Sequence, residues 1–403
     1  MKKTLLKLTT LALLSTHAVA ATKSISNELN QVVFKNYGTI SQSIFNNYAK
    51  IDGVEKKLSD YDILYYVPAK LKGKKNIKAL IFLHGGGQST MTRSGSLKVA
   101  KSYINDLKTM ADQLNVALIC PSGSSQNWGG HMIDMLRDLK TIAVKDLNID
   151  RNSIGLTGHS LGGMGITRSA HWLASEFSFF MPVAAGFDFN IKDERVNAVR
   201  KRNNSLYMNT YFNHNYVHLQ GLQDHFQVFV ERAKEQKNRI EQKEKLFNRD
   251  SKFNLIFYNG THNYPKAKYL TLLESELKKK RNPYQLFISG MEYNVNELVK
   301  NQWTNGFEIY YGKMNSYFWV EGLKHTEYKK VNSVYGVIKE NVVSLTLDKN
   351  ISKVRVYLDQ KMVDLNKTVI IKVNGKTKFT NLVTKVKKSK KSIDYSTYVD
   401  LLL

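Results

Sequence analysis

Between Tyr61 and about Ser275, short apolar runs alternate with longer segments of helical period, and this alternation constrains the fold more than any other feature. A run such as Ala79-Leu-Ile-Phe-Leu83 has no polar face, so as a strand it must be covered on both sides. Apolar runs of that kind separated by amphipathic segments are the signature of a mostly parallel sheet with helices on both faces. The runs predict strands at Asp62–Val67, Lys78–Leu83, Val116–Cys120, Ser153–Thr157, Phe179–Ala184, Val217–Gln220 and Asn254–Tyr258. Helices are expected over Val99–Gln113, Met132–Val144, Gly163–Ser175 and Val228–Phe247.

After about Pro283 the texture changes. Aromatic residues cluster (Tyr310, Tyr311, Tyr317, Phe318, Trp319), and period-two alternation appears in Ser344–Asp348 and Lys353–Tyr357. Val369–Val373, then Asn374-Gly375, then Lys376–Phe379 reads as a hairpin, because Asn-Gly suits the turn that twists with its strands. The expected organisation is an α/β domain over 21–294 and an antiparallel β module over 295–403, of 403 residues in all. Residues 1–20 read as a cleaved secretory leader: Met1-Lys-Lys is basic, Leu5–Leu14 is apolar, and Ala18-Val-Ala20 is a small-x-small cleavage pattern. The product is therefore expected to be secreted or periplasmic. No later run is long enough to span a membrane, so stable insertion is not expected.

Two compositional facts narrow the function. Apolar residues make up 42%, enough for an ordinary core and too many for a disordered chain. The formal charge of +26 includes Lys2, Lys3 and Lys7 of the leader; the other lysines are dispersed, with clusters only at Lys278–Arg281 and Lys385–Lys391. No nucleic-acid motif accompanies them, so the charge reads as a surface trait. Cys120 is the only cysteine and closes an apolar strand, which makes it a buried small side chain, and stability must come from packing.

The chemistry centres on Gly158-His-Ser-Leu-Gly162, between a predicted strand and a predicted helix. A serine on that turn is held in strained geometry, and side chains at the flanking glycines would strike the strand and helix. Ser160 is thus the candidate nucleophile, and it needs a base and an orienting carboxylate from later strand ends. Asp224 follows the strand Val217–Gln220, and His262 follows Asn254–Tyr258, at intervals of 64 and 38 residues. Asp188 is a competing carboxylate. His225 is expected to face away from the site, and His218 to be packed inside the sheet.

A tetrahedral intermediate also needs N–H donors. Leu83-His-Gly-Gly-Gly-Gln88 follows a strand, so Gly86 or Gly87 is expected to supply one donor and Leu161 the other. Trp128, in Asn127-Trp-Gly-Gly130, and His159 are the candidate substrate-binding residues, with a packing role the alternative for each. No paired His or Cys stands at metal-ligand spacing, so neither metal nor cofactor is expected.

Taken together, these segments resemble the α/β-hydrolase superfamily, and within it the secreted bacterial esterases and predicted peptidases related to polyhydroxybutyrate depolymerase, feruloyl esterase and acetyl xylan esterase. The resemblance rests on Tyr65-Tyr-Val-Pro68, Phe82-Leu-His-Gly-Gly-Gly87, Asp150-Arg151, Gly158-His-Ser-Leu-Gly-Gly163, Gly221-Leu-Gln-Asp224 and Asn259-Gly-Thr-His262. It implies a Ser160, Asp224, His262 triad acting on carboxylic esters, with polysaccharide-linked or polymeric esters as partners. Prolyl-oligopeptidase-like peptidase activity and non-catalytic polysaccharide binding are the alternatives. The chain departs from such relatives after Asp224, where His-Phe-Gln-Val stands in place of a frequent Val-Pro pair.

Overall fold

A computed structural model of the chain describes residues 34–51, 54–87, 90, 92–123, 128, 132–186, 208–293, 297–300, 308–311, 316–325, 331–383 and 394–403. Residues 1–20, Asp188 and the lysines of 385–391 lie outside the described residues.

The first domain is built on an eight-stranded sheet. Its strands are β1 (Ile40–Ile51), β2 (Val54–Tyr66), β3 (Ile77–Leu83), β4 (Val116–Pro121), β5 (Ile149–His159), β6 (Phe179–Val183), β7 (Asn215–Gly221) and β8 (Phe253–Tyr258). They lie in the order β1-β2-β4-β3-β5-β6-β7-β8. From β4 to β8 every pairing is parallel, whereas β1 and β2 join antiparallel at one edge. The helices are α1 (Arg93–Leu114), α2 (Met132–Leu147), α3 (Leu161–Ser169), α4 (Gln227–Phe247) and α5 (Lys266–Glu276).

Strand β3 shows why this sequence makes a three-layer structure. Successive side chains point to opposite faces of a sheet. Ala79, Ile81 and Leu83 enter a core with Leu136 and Leu139 of α2 and Ile166 of α3. Leu80 and Phe82 enter a second core with Ile104 and Leu107 of α1 and Leu273 of α5. Both faces are covered, as the unbroken apolar run requires. Cys120 is fully buried in the second core, and burial pushes its thiol pKa up.

The expected elements are present, generally longer than their apolar runs. β1 and α5 carry too weak a pattern to be read from sequence. α3 is shorter than expected: it ends at Ser169, and Ala170 to Phe177 continue in turns. No helix among the described residues is long and apolar enough to cross a membrane.

The C-terminal module packs two sheets face to face. One contains β9 (Phe287–Tyr293), β14 (Val331–Lys339), β15 (Val342–Leu347), β17 (Val369–Val373) and β18 (Lys376–Asn381). The other contains β12 (Ser316–Tyr317), β13 (Val320–His325), β16 (Ile351–Leu358) and β19 (Thr397–Leu402), while β10 (Glu297–Lys300) and β11 (Glu308–Tyr311) pair separately. Val343, Leu345 and Ile371 from the first sheet meet Val354, Val356 and Trp319 in a shared core. The β17–β18 hairpin turns at Asn374 and Gly375 with φ of 49° and 79°, the geometry expected of Asn-Gly. Two details differ from the sequence reading. β9 pairs with β14, so this sheet begins before residue 295, and β15 and β17 pair in parallel, so the module is not wholly antiparallel.

The module is docked, not tethered. Asn213, just before β7, donates to the Phe287 carbonyl at 2.7 Å and accepts from the Ser289 N–H at 2.9 Å. Arg281 is buried at the same junction, bound to Asn152 Oδ1, the Ser175 carbonyl and Asp394.

Candidate active site

Ser160 stands between the end of β5 and the start of α3, with φ 53° and ψ −115°. An L-residue there costs about 1–3 kcal/mol. The turn is nonetheless fixed, because the Ser160 N–H donates to the Val183 carbonyl at 2.9 Å and its own carbonyl accepts from Met164 at 2.8 Å. Gly162 shows why the motif needs glycine: a Cβ there would lie 2.0 Å from the Leu83 carbonyl oxygen. The serine turn therefore rests directly on the end of β3.

Asp224 and His262 arrive from the next two strand ends, and their loops are laced together. The Leu222 N–H donates to the Tyr258 carbonyl at 3.0 Å, and the Gln223 N–H to the Gly260 carbonyl at 2.9 Å. A Cβ on Gly221 would lie 2.4 Å from the Thr261 carbonyl oxygen, so this contact too requires glycine. The Tyr258 hydroxyl donates to the Asn263 carbonyl at 2.7 Å and holds the loop from below.

The three side chains meet. His262 Nε2 lies 2.7 Å from Ser160 Oγ, and Nδ1 lies 2.9 and 3.1 Å from the two Asp224 oxygens. Asp224 is fully buried. Burial pushes its pKa up, but bonds from His262, the Phe226 N–H and Gln220 outweigh it and hold the carboxyl below its usual range. A carboxylate accepts only, so Nδ1 carries a proton and Nε2 is free to accept from the serine hydroxyl. That is the arrangement needed to turn a hydroxyl into a nucleophile.

His84 governs the glycine loop after β3. Its Nε2 accepts from the Gly123 N–H at 2.8 Å and lies 2.9 Å from Ser96 Oγ, so Nδ1 holds the proton and donates to the Gly85 carbonyl at 2.8 Å. Burial lowers its pKa to about 4, so the ring is neutral. Pinning the Gly85 carbonyl also turns the Gly86 N–H away from His84, since a trans peptide sets the two groups in opposite directions. Gly86 has φ 145°, and a Cβ on it would lie 2.3 Å from Thr90 Cγ2. Leu161 opens α3, so its N–H has no carbonyl within the helix to bind. Gly87 is exposed, and its carbonyl is taken by the N–H and hydroxyl of Thr90.

The remaining sequence candidates fall as follows. Trp128 is only 3% exposed; its Nε1 donates to the His84 carbonyl at 3.0 Å and its ring meets the His84 ring edge-on at 5.1 Å. Among the described residues its contacts are with the glycine loop at His84, which is the packing alternative. His159 is also buried, with Nε2 2.6 Å from the His262 carbonyl and Nδ1 2.6 Å from the Tyr103 hydroxyl. His218 is buried in β7 beside Gln236, as expected.

His225 corrects an expectation. Its ring centroid lies 5.1 Å from that of His262, so it faces the site. Phe226 and Phe229 lie 5.0 and 5.9 Å from the same imidazole. The two phenylalanines were missed, although Phe-x-x-Phe, starting two residues after Asp224, is a visible one-turn spacing on a helix start. Tyr103 carries no comparable signal within α1.

No family model matches the chain, and no curated protein matches it. Many solved structures do. A thermostable esterase is matched at a TM-score of 0.39 and 14% identity, over 59% of this chain and 63% of the esterase, less than two thirds of its length. A ferulic acid esterase is matched at a TM-score of 0.40 and 12% identity, over 60% of this chain and 99% of the other. A poly(3-hydroxybutyrate) depolymerase from Bordetella parapertussis gives a TM-score of 0.40 and 12% identity over 58% and 94%. Likenesses this distant say nothing of substrate. The chain's own topology decides: the strand order, the antiparallel β2, a serine turn between β5 and α3, then Asp after β7 and His after β8.

The fold is that of an α/β-hydrolase.

In this α/β-hydrolase sheet, the glycine loop, Ser160, Asp224 and His262 lie at the carboxyl ends of the parallel strands β3, β5, β7 and β8.

Proposed function

We propose that the protein is a serine hydrolase that cleaves carboxylic esters through an acyl-enzyme. The observation that carries this reading is the chain of contacts from Ser160 Oγ through His262 to buried Asp224. Ser160 Oγ attacks the ester carbonyl carbon as its proton passes to His262 Nε2, and Asp224 stabilises the resulting imidazolium. The carbonyl oxygen becomes an oxyanion facing the Leu161 and Gly86 N–H groups, with Gly87 adjoining them. The carbon–oxygen bond to the alcohol then breaks, and Nε2 returns its proton to the departing oxygen. Water repeats the sequence on the acyl-serine: its proton goes to Nε2, its oxygen to the acyl carbon, and Ser160 regains a proton.

The glycine loop supports this assignment through its construction. His84 and Trp128 fix the two peptides that orient the Gly86 N–H before any substrate arrives, and preorganised donors are what stabilise a developing charge. We also propose that the protein acts after export, on the strength of the leader at 1–20. Hydrolysis of p-nitrophenyl acetate and butyrate by the wild type and Ser160→Ala tests the central claim. Serine-dependent turnover is expected; equal rates in the two proteins, or none in either while folded, overturn it.

A further inference from the structure

Eight large apolar side chains stand out as exposed among the described residues, and three of them, Leu222, Phe226 and Val228, fall within seven positions around Asp224. Their exposures are 47%, 46% and 43%. Scattered single exposures are ordinary, but Phe226 is exposed while its ring also lies 5.0 Å from that of His262. This segment is not slack. Asp224 Oδ1 accepts the Phe226 N–H at 2.8 Å, the Phe229 N–H donates to the Phe226 carbonyl at 2.8 Å, and Gln227 donates to the Asp224 carbonyl. The carboxylate that orients His262 thus also sets the backbone from which these apolar side chains project.

The rings close on one side of the imidazole. Phe226 meets His262 edge-on at 5.0 Å, Phe229 lies nearly parallel to it at 5.9 Å, and the two phenylalanines are 5.5 Å apart. His159 occupies another side, at 5.2 Å. The glycine loop after β3 and the start of α3 carry the N–H donors for the carbonyl oxygen. The leaving oxygen must therefore come to His262 Nε2, which carries the proton it will receive. The rings that border this imidazole therefore lie next to the alcohol.

We infer that Phe226, backed by Phe229 and with exposed Leu222 and Val228 on the same segment, is a specificity-determining residue that selects esters of apolar, ring-bearing alcohols over esters of polar alcohols such as sugars. This rests on the ester-hydrolase reading and adds to it the class of leaving group. His225, exposed and packed on Phe226 at 4.1 Å, is a polar ring in the same patch. The phenylalanine, leucine and valine side chains themselves offer no hydrogen bond, so hydroxyls of an alcohol laid against them are stranded. A flat apolar alcohol instead stacks on Phe226 and covers surface that is otherwise wet.

The test holds the acyl group constant and compares two acetates whose alcohols have similar basicity, 2-phenylethyl acetate and 2-methoxyethyl acetate. The wild type should favour the phenylethyl ester about tenfold in kcat/KM, and Phe226→Ala should reduce that ratio about tenfold, chiefly through KM. Phe226→Leu, which keeps an apolar side chain, should restore part of it. In parallel, Ser160 is labelled with a fluorophosphonate, whose leaving group is fluoride and does not fill the apolar surface. Labelling with an unchanged ester ratio in Phe226→Ala overturns the inference and leaves the hydrolase reading standing. No labelling and no hydrolysis of either ester overturns both.

Discussion

His159 Nε2 lies 2.6 Å from the main-chain carbonyl of His262, so the residue preceding the serine holds the loop that carries the imidazole. A carbonyl accepts only, hence Nε2 bears the proton and Nδ1 accepts from the Tyr103 hydroxyl at 2.6 Å. The line Tyr103–His159–His262 ties α1, the end of β5 and the loop after β8 together. His159 touches no reacting atom in this arrangement; it is a positioning residue.

His159→Ala should therefore lower kcat by about 10–100-fold, as expected when a catalytic group is misplaced by an ångström or less. KM for p-nitrophenyl butyrate should move far less. His159→Gln, which keeps an N–H donor, should recover part of the rate. A lower melting temperature in both variants with kcat intact would show that the bond only supports the fold.

Ser160 sets stability against function. Ser160→Ala should reduce kcat by about 10⁴–10⁶, since removing the nucleophile leaves only binding and oxyanion stabilisation. Neither Ser nor Ala suits φ 53° and ψ −115°, whereas Gly adopts such angles readily. Ser160→Gly should be about 1 kcal/mol more stable than Ser160→Ala by denaturant unfolding. Equal stabilities would mean that the turn stores no strain.

Buried neutral histidines set the acid limit. Burial lowers the pKa of His84, His159 and His218 to about 4, against an ordinary value of 6.5. The unfolded chain takes up protons at these rings as pH falls through about 6.5, while the folded chain resists until about pH 4. Stability is therefore full above about pH 7 and is lost progressively as pH falls from about 6.5 toward 4. Each ring contributes on the order of 3 kcal/mol across that window. Burial also holds His214 neutral, so denaturant unfolding at pH 7.5, 6 and 5 should show this fall, and His218→Gln should flatten it by about one quarter. A slope unchanged in that variant would place the acid sensitivity elsewhere.

Much of the site was legible because its parts are short, local and ordered along the chain. Gly158 to Gly162 needs its glycines for close approach to β3, and Asp224 and His262 follow strands whose apolar runs are plain. What stayed hidden depends on contacts between distant segments. Trp128 reads equally as a pocket wall or a packed ring until its bond to the His84 carbonyl is seen. His225 adjoins Asp224 in sequence, which implies nothing about facing His262 across two loops. β9 precedes the aromatic-rich stretch that marks the module, so its pairing with β14 could not be read from composition.

Arg281 gives the sharpest test of how the module is held. Its side chain is 4% exposed and lies 2.6 Å from Asp394, 2.7 Å from the Ser175 carbonyl and 3.1 Å from Asn152 Oδ1. One guanidinium thus joins the α/β domain to the segment entering β19. Arg281→Met keeps most of the volume but strips three half-buried acceptors of a donor, and among the described residues Asp394 keeps Arg151 at 3.8 Å. Breaking a buried pair this way costs about 3–5 kcal/mol, reduced here toward about 2–3 because Arg151 still faces the carboxylate. Arg281→Lys recovers the charge but not the fork that reaches three partners, and should fall between. Unfolding followed by near-ultraviolet dichroism, together with ester turnover, separates the outcomes. A docked module that supports the catalytic domain predicts loss of both signals in one transition. Turnover that survives after the module has melted would show that the two fold independently.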